Sequence, residues 1–160
     1  MVVAPSTVEV VRSTGGWLFD LTLAGWDVAV LVPDHADSRP LQILGARTVD
    51  PSSATPLRDT GRWPEALAVD AELYAANAGV QELVRDALAQ CVEVRLWDGD
   101  APPDSPVGTA TIQHRLSIAA RAFKAQALEA AAEPVVAVEV MESFRGSLRP
   151  PLDVDPVPVA

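Results

Sequence analysis

Cysteine is almost absent from the sequence, and the one cysteine, Cys91, excludes an internal disulfide and any zinc site built from several thiolates. Its position between a helical pattern and the apolar start of a strand is typical of a small buried side chain. Long apolar runs are also missing, since no stretch approaches the roughly 18 residues that a membrane span needs. We therefore expect no membrane partner, and the lack of a secretory pattern at the start predicts a cytoplasmic location.

Positive charge is scarce. Twelve basic residues, of which Lys124 is the only lysine, face 22 acidic ones, giving a net charge of −10. Binding to nucleic acid draws on clustered Lys and Arg, so this charge excludes a nucleic-acid partner. The preference for alanine and for arginine over lysine is typical of a bacterial protein.

What the sequence does contain is an ordinary apolar content of 49% in 160 residues, which suits a single domain. A chain of this size buries about 70% of its unfolded surface, enough to fold without a metal or disulfide. We predict one α/β domain over residues 1–149 and a proline-rich tail, extended or disordered, over residues 150–160.

The first 24 residues allow two interpretations. Ser6 and Glu9 match a capping box, and apolar residues then recur at helical spacing, which predicts a helix over residues 7–24. Gly15 and Gly16 would each cost that helix about 1 kcal/mol relative to alanine. The alternative is a strand over 7–11, a turn over 13–16 and a short helix over 17–24.

Strand and helix patterns alternate along the rest of the chain. Strands are predicted over residues 28–32, 66–70, 92–97 and 135–140, helices over 72–90 and 112–131, and a short extended piece or single helical turn over 39–45. Consecutive parallel strands need crossovers of this length, so the order predicts a mostly parallel, Rossmann-like sheet with helices on both faces.

The carboxyl edge of such a sheet is where ligands usually bind, and it would carry acidic residues. Asp34, His35 and Asp37 follow the first long strand and could bind a divalent cation or perform acid-base chemistry. Asp98-Gly99-Asp100 resembles the Asp-x-Asp element of metal-dependent glycosyltransferases, although Asp-Gly is also a common turn dipeptide. We expect Asp34, Asp70 and Asp98 to share this edge.

Two further patterns suggest binding. Arg12 with Gly15 and Gly16 could hold a phosphate if the amides lie at a helix start, although paired glycines more often allow close packing.

A basic stripe forms the second pattern. His114, Ser117, Arg121 and Lys124 recur at spacings of three and four, which would place them on one face of the helix predicted over 112–131. That face could dock an acidic partner, although a solvated helix face explains it as well.

No complete catalytic motif is present, and we expect no cofactor, while the sequence does not decide whether a metal binds. The first hypothesis is a non-catalytic module that binds a protein partner or self-associates through the basic stripe or the apolar surface near Trp17 or Trp26. The alternative is a small-molecule, nucleotide or divalent-metal binding domain, possibly an enzyme, that uses the carboxyl ends of the strands.

Overall fold

A computed structural model describes residues 1–33, 37–50, 62–99, 102–135 and 137–146. Its strands are β1 (Val2–Val3), β2 (Ala29–Leu31), β3 (Arg47–Val49), β4 (Ala66–Asp70), β5 (Glu93–Trp97), β6 (Ala110–Arg115) and β7 (Met141–Gly146). Its helices are α1 (Thr7–Leu23), α2 (Arg39–Ile43), α3 (Ala71–Ala76), α4 (Ala78–Ala89) and α5 (Ile118–Ala130).

The described strands form one seven-stranded sheet in the order β3-β2-β1-β4-β5-β7-β6. The first five strands in that order run parallel, whereas β7 runs antiparallel to both β5 and β6. The prediction of a single α/β domain with a mostly parallel sheet is confirmed. Because Val3 pairs with both Leu31 and Val69, the carboxyl ends of the central strands lie along one edge.

Helices cover both faces of the sheet, because neighbouring residues of one strand belong to different cores. Val2 belongs to the core under α1 and α5, and Val3 belongs to the core under α3 and α4. Burial on both faces explains why the central strands have apolar runs rather than an alternating polar pattern. None of the helices in the described ranges combines the length and the apolar character that crossing a bilayer requires.

Helix α1 is continuous, so the strand-turn-helix alternative is wrong. The side chain of Ser6 accepts a hydrogen bond from the amide of Glu9 at 3.3 Å, as the capping pattern predicts. The Glu9 carboxylate contacts Arg12. The two glycines are tolerated because packing by neighbouring elements outweighs their low helix propensity.

The second half of the chain requires corrections. The helix predicted over 112–131 begins only at Ile118, because Ser117 caps it by accepting from the amide of Ala120 at 3.0 Å. Residues 110–115 form β6, whose burial alternates as on a half-exposed edge strand. The last strand begins at Met141 rather than at residue 135, since the pairing with β5 and β6 decides its position.

Three smaller differences follow from local geometry. Asn77 divides the helix predicted over 72–90 by capping α4 through the amide of Val80. Cys91, expected to be buried, is exposed with a φ of 61° in the turn after α4. Strands β1 and β3 were missed because two or three residues are too few to show a period. The predicted tail lies outside the described residues.

Candidate functional site

A groove of about 510 Å³ opens at the carboxyl edge of the parallel strands. We call it the carboxyl-edge groove. Helix α1, the end of β5, α5, the segment before β7 and the first residues of β7 form its walls. Because β7 runs antiparallel to β5, its amino end reaches the same edge at which β5 ends. The groove therefore lies where the parallel topology predicts a ligand crevice.

A hydrogen bond at Asp98 links the end of β5 to α1 within this groove. The Oδ2 atom of Asp98 accepts a hydrogen bond from the Ser13 hydroxyl. Asp98 also adopts a φ of 54°, in the left-handed region that aspartate tolerates better than most residues. Its place at the end of β5, inside the groove and held by Ser13, makes Asp98 the leading candidate residue here.

Ion pairs organise the solvent side of the groove. Arg12 contacts Glu9 and Glu133 at 2.7 Å each, and the hydrogen bond with Glu133 raises the pKa of Arg12. Four carboxylates and two cations line the groove in all. This excess of negative charge disfavours phosphates and favours neutral or amino-bearing polar ligands.

The inner wall holds a second ion pair that is almost completely buried. Lys124 Nζ lies 2.6 Å from Glu142 Oε1. The amides of Gly16 and Trp17 also donate to the Glu142 carboxylate, at 2.9 and 2.7 Å. Three donors thus compensate the charge that Glu142 brings into the core.

A second cavity of about 430 Å³ adjoins the groove, and Asp98 and Ser143 line both spaces. Trp97 lines this cavity and is 1% exposed. Its indole Nε1 is buried and has no hydrogen-bond partner among the described residues. A buried N–H without a partner costs the fold free energy.

The acidic cluster predicted at this edge does not assemble from the described residues. Asp70 and Asp98 both lie at this edge, as expected, because Asp70 pairs with Trp97, but the Asp70 carboxylate caps α3 by accepting from the amide of Leu73 at 2.7 Å. Asp37 accepts from the amide of Arg39. The remaining members, which lie outside the described residues, are Asp34, His35 and Asp100.

A metal centre does not fit the part of the chain that the structure describes. No three His, Cys, Asp or Glu side chains are grouped there closely enough to hold an ion.

The phosphate cradle predicted around Arg12, Gly15 and Gly16 is wrong. Both glycines lie in the interior of α1 and are buried, so their amides are not at a helix start. The amide of Gly16 does bind an anion, but that anion is the protein's own Glu142. Gly16 is packed closely, since an added Cβ would lie 2.0 Å from Leu116 Cδ2.

The prediction that the basic stripe lies on a single helix face is also wrong. His114 lies on β6, 2.8 Å from Asp20, and Ser117 is the cap of α5. Lys124 is buried against Glu142, and Arg121 is half-buried. Only the last two of the four residues share a helix, so no continuous exposed basic surface forms among them.

The apolar surface proposed near Trp17 fails in the same way, because Trp17 is only 3% exposed and belongs to the core.

The pairing of His114 with Asp20 has an electrostatic consequence. Burial alone would raise the pKa of Asp20, but hydrogen bonds from His114 and Ser117 outweigh it and lower that pKa. The pair connects β6 to α1 and is a structural contact rather than part of the groove.

Several groove residues were not predicted from the sequence. Glu133, Glu142 and Ser143 lack a local motif, and their elements meet only in the folded chain. Asp98 was found because an acidic residue directly after an apolar strand is a signal that the sequence does carry.

Comparison with known proteins identifies the fold. No protein-family model matches the chain, and no curated protein matches its sequence. The structure resembles that of Dbv21, the A40926 pseudoaglycone deacetylase, with a TM-score of 0.67 at 13% identity over 91% of this chain and 95% of that one.

Two solved teicoplanin deacetylase structures are also similar. A deacetylase in complex with teicoplanin gives a TM-score of 0.63 at 13% identity, covering 91% of this chain and 96% of that one. The zinc-inhibited form of the teicoplanin deacetylase Orf2 gives 0.57 at 14% identity, covering 81% and 82%.

These neighbours overturn the first functional hypothesis. A non-catalytic protein-interaction module was expected, but the similar structures just described are those of deacetylases, which are enzymes. The alternative, a small-molecule-binding domain that is possibly an enzyme, fits this fold better.

Proposed function

We propose that this chain binds a polar small molecule in the carboxyl-edge groove and hydrolyses an acyl group from an amine of that molecule. The observation that carries the proposal is Asp98, a carboxylate held by Ser13 at the end of β5 inside the groove. The fold shared with deacetylases supports the class of reaction.

Asp98 supplies the chemistry that hydrolysis of an amide requires. Oδ2 accepts the Ser13 hydroxyl, whereas Oδ1 has no hydrogen-bond partner in the described ranges. In the proposed reaction Asp98 accepts a proton from water, and the water oxygen attacks the amide carbonyl carbon. The C–N bond then breaks, the proton passes to the leaving amine, and a carboxylic acid and an amine are released.

The charge of the groove limits the class of substrate that it can bind. Four carboxylates against two cations disfavour phosphates, so nucleotides are the least favoured of the ligands considered from the sequence. Hydroxyl and amine groups can donate to the carboxylates of the groove. We therefore propose an acylated amine that also bears hydroxyl groups, such as an N-acylated amino sugar or a glycopeptide carrying one.

The test is release of carboxylic acid from a panel of N-acetylated amino sugars and glycopeptides, including teicoplanin. Asp98→Asn should lower kcat by about 10²–10⁴-fold, since removal of a general base has this effect. Asparagine tolerates the left-handed backbone, so the variant should fold. Glu72→Gln, an exposed change on α3, is the matched control.

Two results would contradict the proposal. One is turnover that Asp98→Asn leaves unchanged. The other is a panel without turnover and without thermal stabilisation, because a ligand at 100 times its dissociation constant should add about 2.7 kcal/mol.

We propose that the protein acts in the cytoplasm. We also propose that it binds neither nucleic acid nor membranes, because a net charge of −10 repels phosphate-rich surfaces. We also propose that the chain self-associates, and sedimentation velocity over a range of concentrations tests this.

A further inference from the structure

The only lysine of this chain is inside the protein. Lys124 is 5% exposed, although lysine is among the side chains least often buried. It projects from α5 into the inner wall of the carboxyl-edge groove.

The hydrogen bonding of Lys124 is incomplete in the part of the chain that the structure describes. An ammonium group has three N–H donors, and there Nζ donates only to Glu142 Oε1, at 2.6 Å. Donors left unsatisfied in a buried site are costly. Lys124 is one of the residues that line the carboxyl-edge groove, whose volume of about 510 Å³ is large enough to hold a ligand.

Packing does not explain why a lysine stands here. Its stem lies against the double glycine of α1, where an added Cβ on Gly15 would be 3.5 Å from Lys124 Cγ. A methionine could fill that space without the cost of burying an ion pair. Nor does Glu142 depend on Lys124 alone, since the amides of Gly16 and Trp17 also donate to its carboxylate.

We propose that Lys124 anchors the ligand: its Nζ donates to an acyl oxygen, either an amide carbonyl or a carboxylate. Glu142 is the positioning residue that holds the ammonium at the wall of the groove. The inference rests on the proposed function in placing an acylated ligand in this groove. During deacylation Nζ would polarise the amide carbonyl and stabilise the negative charge that develops on its oxygen. After cleavage it would hold the carboxylate product.

Because the chain has one lysine, labelling with ¹⁵Nζ-lysine gives a single side-chain ammonium signal. Acetamide supplies a neutral acyl oxygen, acetate supplies a carboxylate, and sodium chloride at matched ionic strength is the control. We expect a saturable shift of the Nζ signal with acetamide, acetate or both, and none with chloride. The responding probe identifies the kind of acyl oxygen, and silence with both probes would overturn the proposal.

Substitutions provide a second measurement. The responding probe should protect the protein against thermal unfolding, and this protection gives an apparent Kd for the probe. Lys124→Met should raise that apparent Kd at least tenfold. If that variant does not fold, the double change Lys124→Met with Glu142→Gln removes both buried charges and keeps one acceptor oxygen for the Gly16 or the Trp17 amide. Unchanged probe affinity in the folded variant would contradict the proposal.

Failure of this inference can be told from failure of the proposed function. A saturable Nζ shift without turnover of any substrate would leave the anchoring role standing and remove the reaction. Alternatively, turnover could depend on Asp98 while Lys124→Met leaves kcat and KM unchanged and the probes leave the Nζ signal unchanged. That result would remove the anchoring role and leave the proposed function standing.

Discussion

Two adjacent glycines in α1 show how differently neighbouring positions can be constrained. A Cβ added to Gly16 would lie 2.0 Å from Leu116 Cδ2 and 3.2 Å from Glu142 Oε1. A Cβ added to Gly15 would lie 3.3 Å from Leu44 Cδ1, the end of a flexible side chain. Gly16 is therefore required by close packing, whereas Gly15 is not.

We expect Gly16→Ala to lower the free energy of unfolding by about 1–3 kcal/mol, because overpacking outweighs the gain in helix propensity. Gly15→Ala is the matched control and should be neutral or stabilise by up to about 1 kcal/mol. Urea unfolding at neutral pH measures both. Equal effects of the two changes would show that the contact with Leu116 is not the cause.

At the scale of an element, the carboxyl ends of the helices show how backbone geometry constrains the residue type. The chain leaves α1 and α2 through Gly25 and Gly45, which have left-handed φ values of 92° and 77°. It leaves α4 and α5 through Cys91 and Ala132, at 61° and 57°. At each end the amide after this residue bonds back to a carbonyl five residues earlier, as in a Schellman motif. Two of the four ends thus carry a side chain where glycine is preferred.

Replacing Ala132 by glycine should raise the free energy of unfolding by about 1 kcal/mol, since it removes the steric cost of the left-handed backbone. The matched control is Ala131→Gly, one residue earlier, where φ is −81° and glycine only adds flexibility to the unfolded chain. Thermal unfolding followed by circular dichroism separates the two. Stabilisation by both changes, or by neither, would contradict this account.

At the scale of the whole molecule, charge and topology decide where a ligand can bind. The net charge of −10 acts over the whole surface and opposes the compact state through mutual repulsion. The parallel strands bring their carboxyl ends to one edge, so the groove there collects residues from distant parts of the sequence. Ser13 and Asp98, which are 85 residues apart, meet for this reason.

Salt should therefore stabilise the protein. Raising sodium chloride from about 0.01 M to about 0.15 M shortens the Debye length from about 30 Å to about 8 Å, which screens the repulsion. We expect Tm to rise by about 2–4 °C, equivalent to about 1 kcal/mol for a chain of this size. Near pH 4.5, the isoelectric point from the sequence, the effect should disappear. A similar rise at both pH values would point to binding of a specific ion instead.

The sequence by itself determined the fold class and the central elements. Capping and periodicity define α1, apolar runs define β2 and β4, and alternation defines β5, because these signals depend on neighbours within a few residues. An acidic residue directly after an apolar strand was enough to place Asp98 at the carboxyl edge.

The tertiary structure alone decided which distant groups meet. A local pattern could not distinguish the exposed face of a helix from the buried position of Lys124, since its partner Glu142 belongs to a strand that forms only when β5, β6 and β7 pair. The same dependence on long-range pairing placed His114 on an edge strand beside Asp20. Hydrogen-bond partners and groove walls are set by packing between elements, which a short stretch of sequence does not encode.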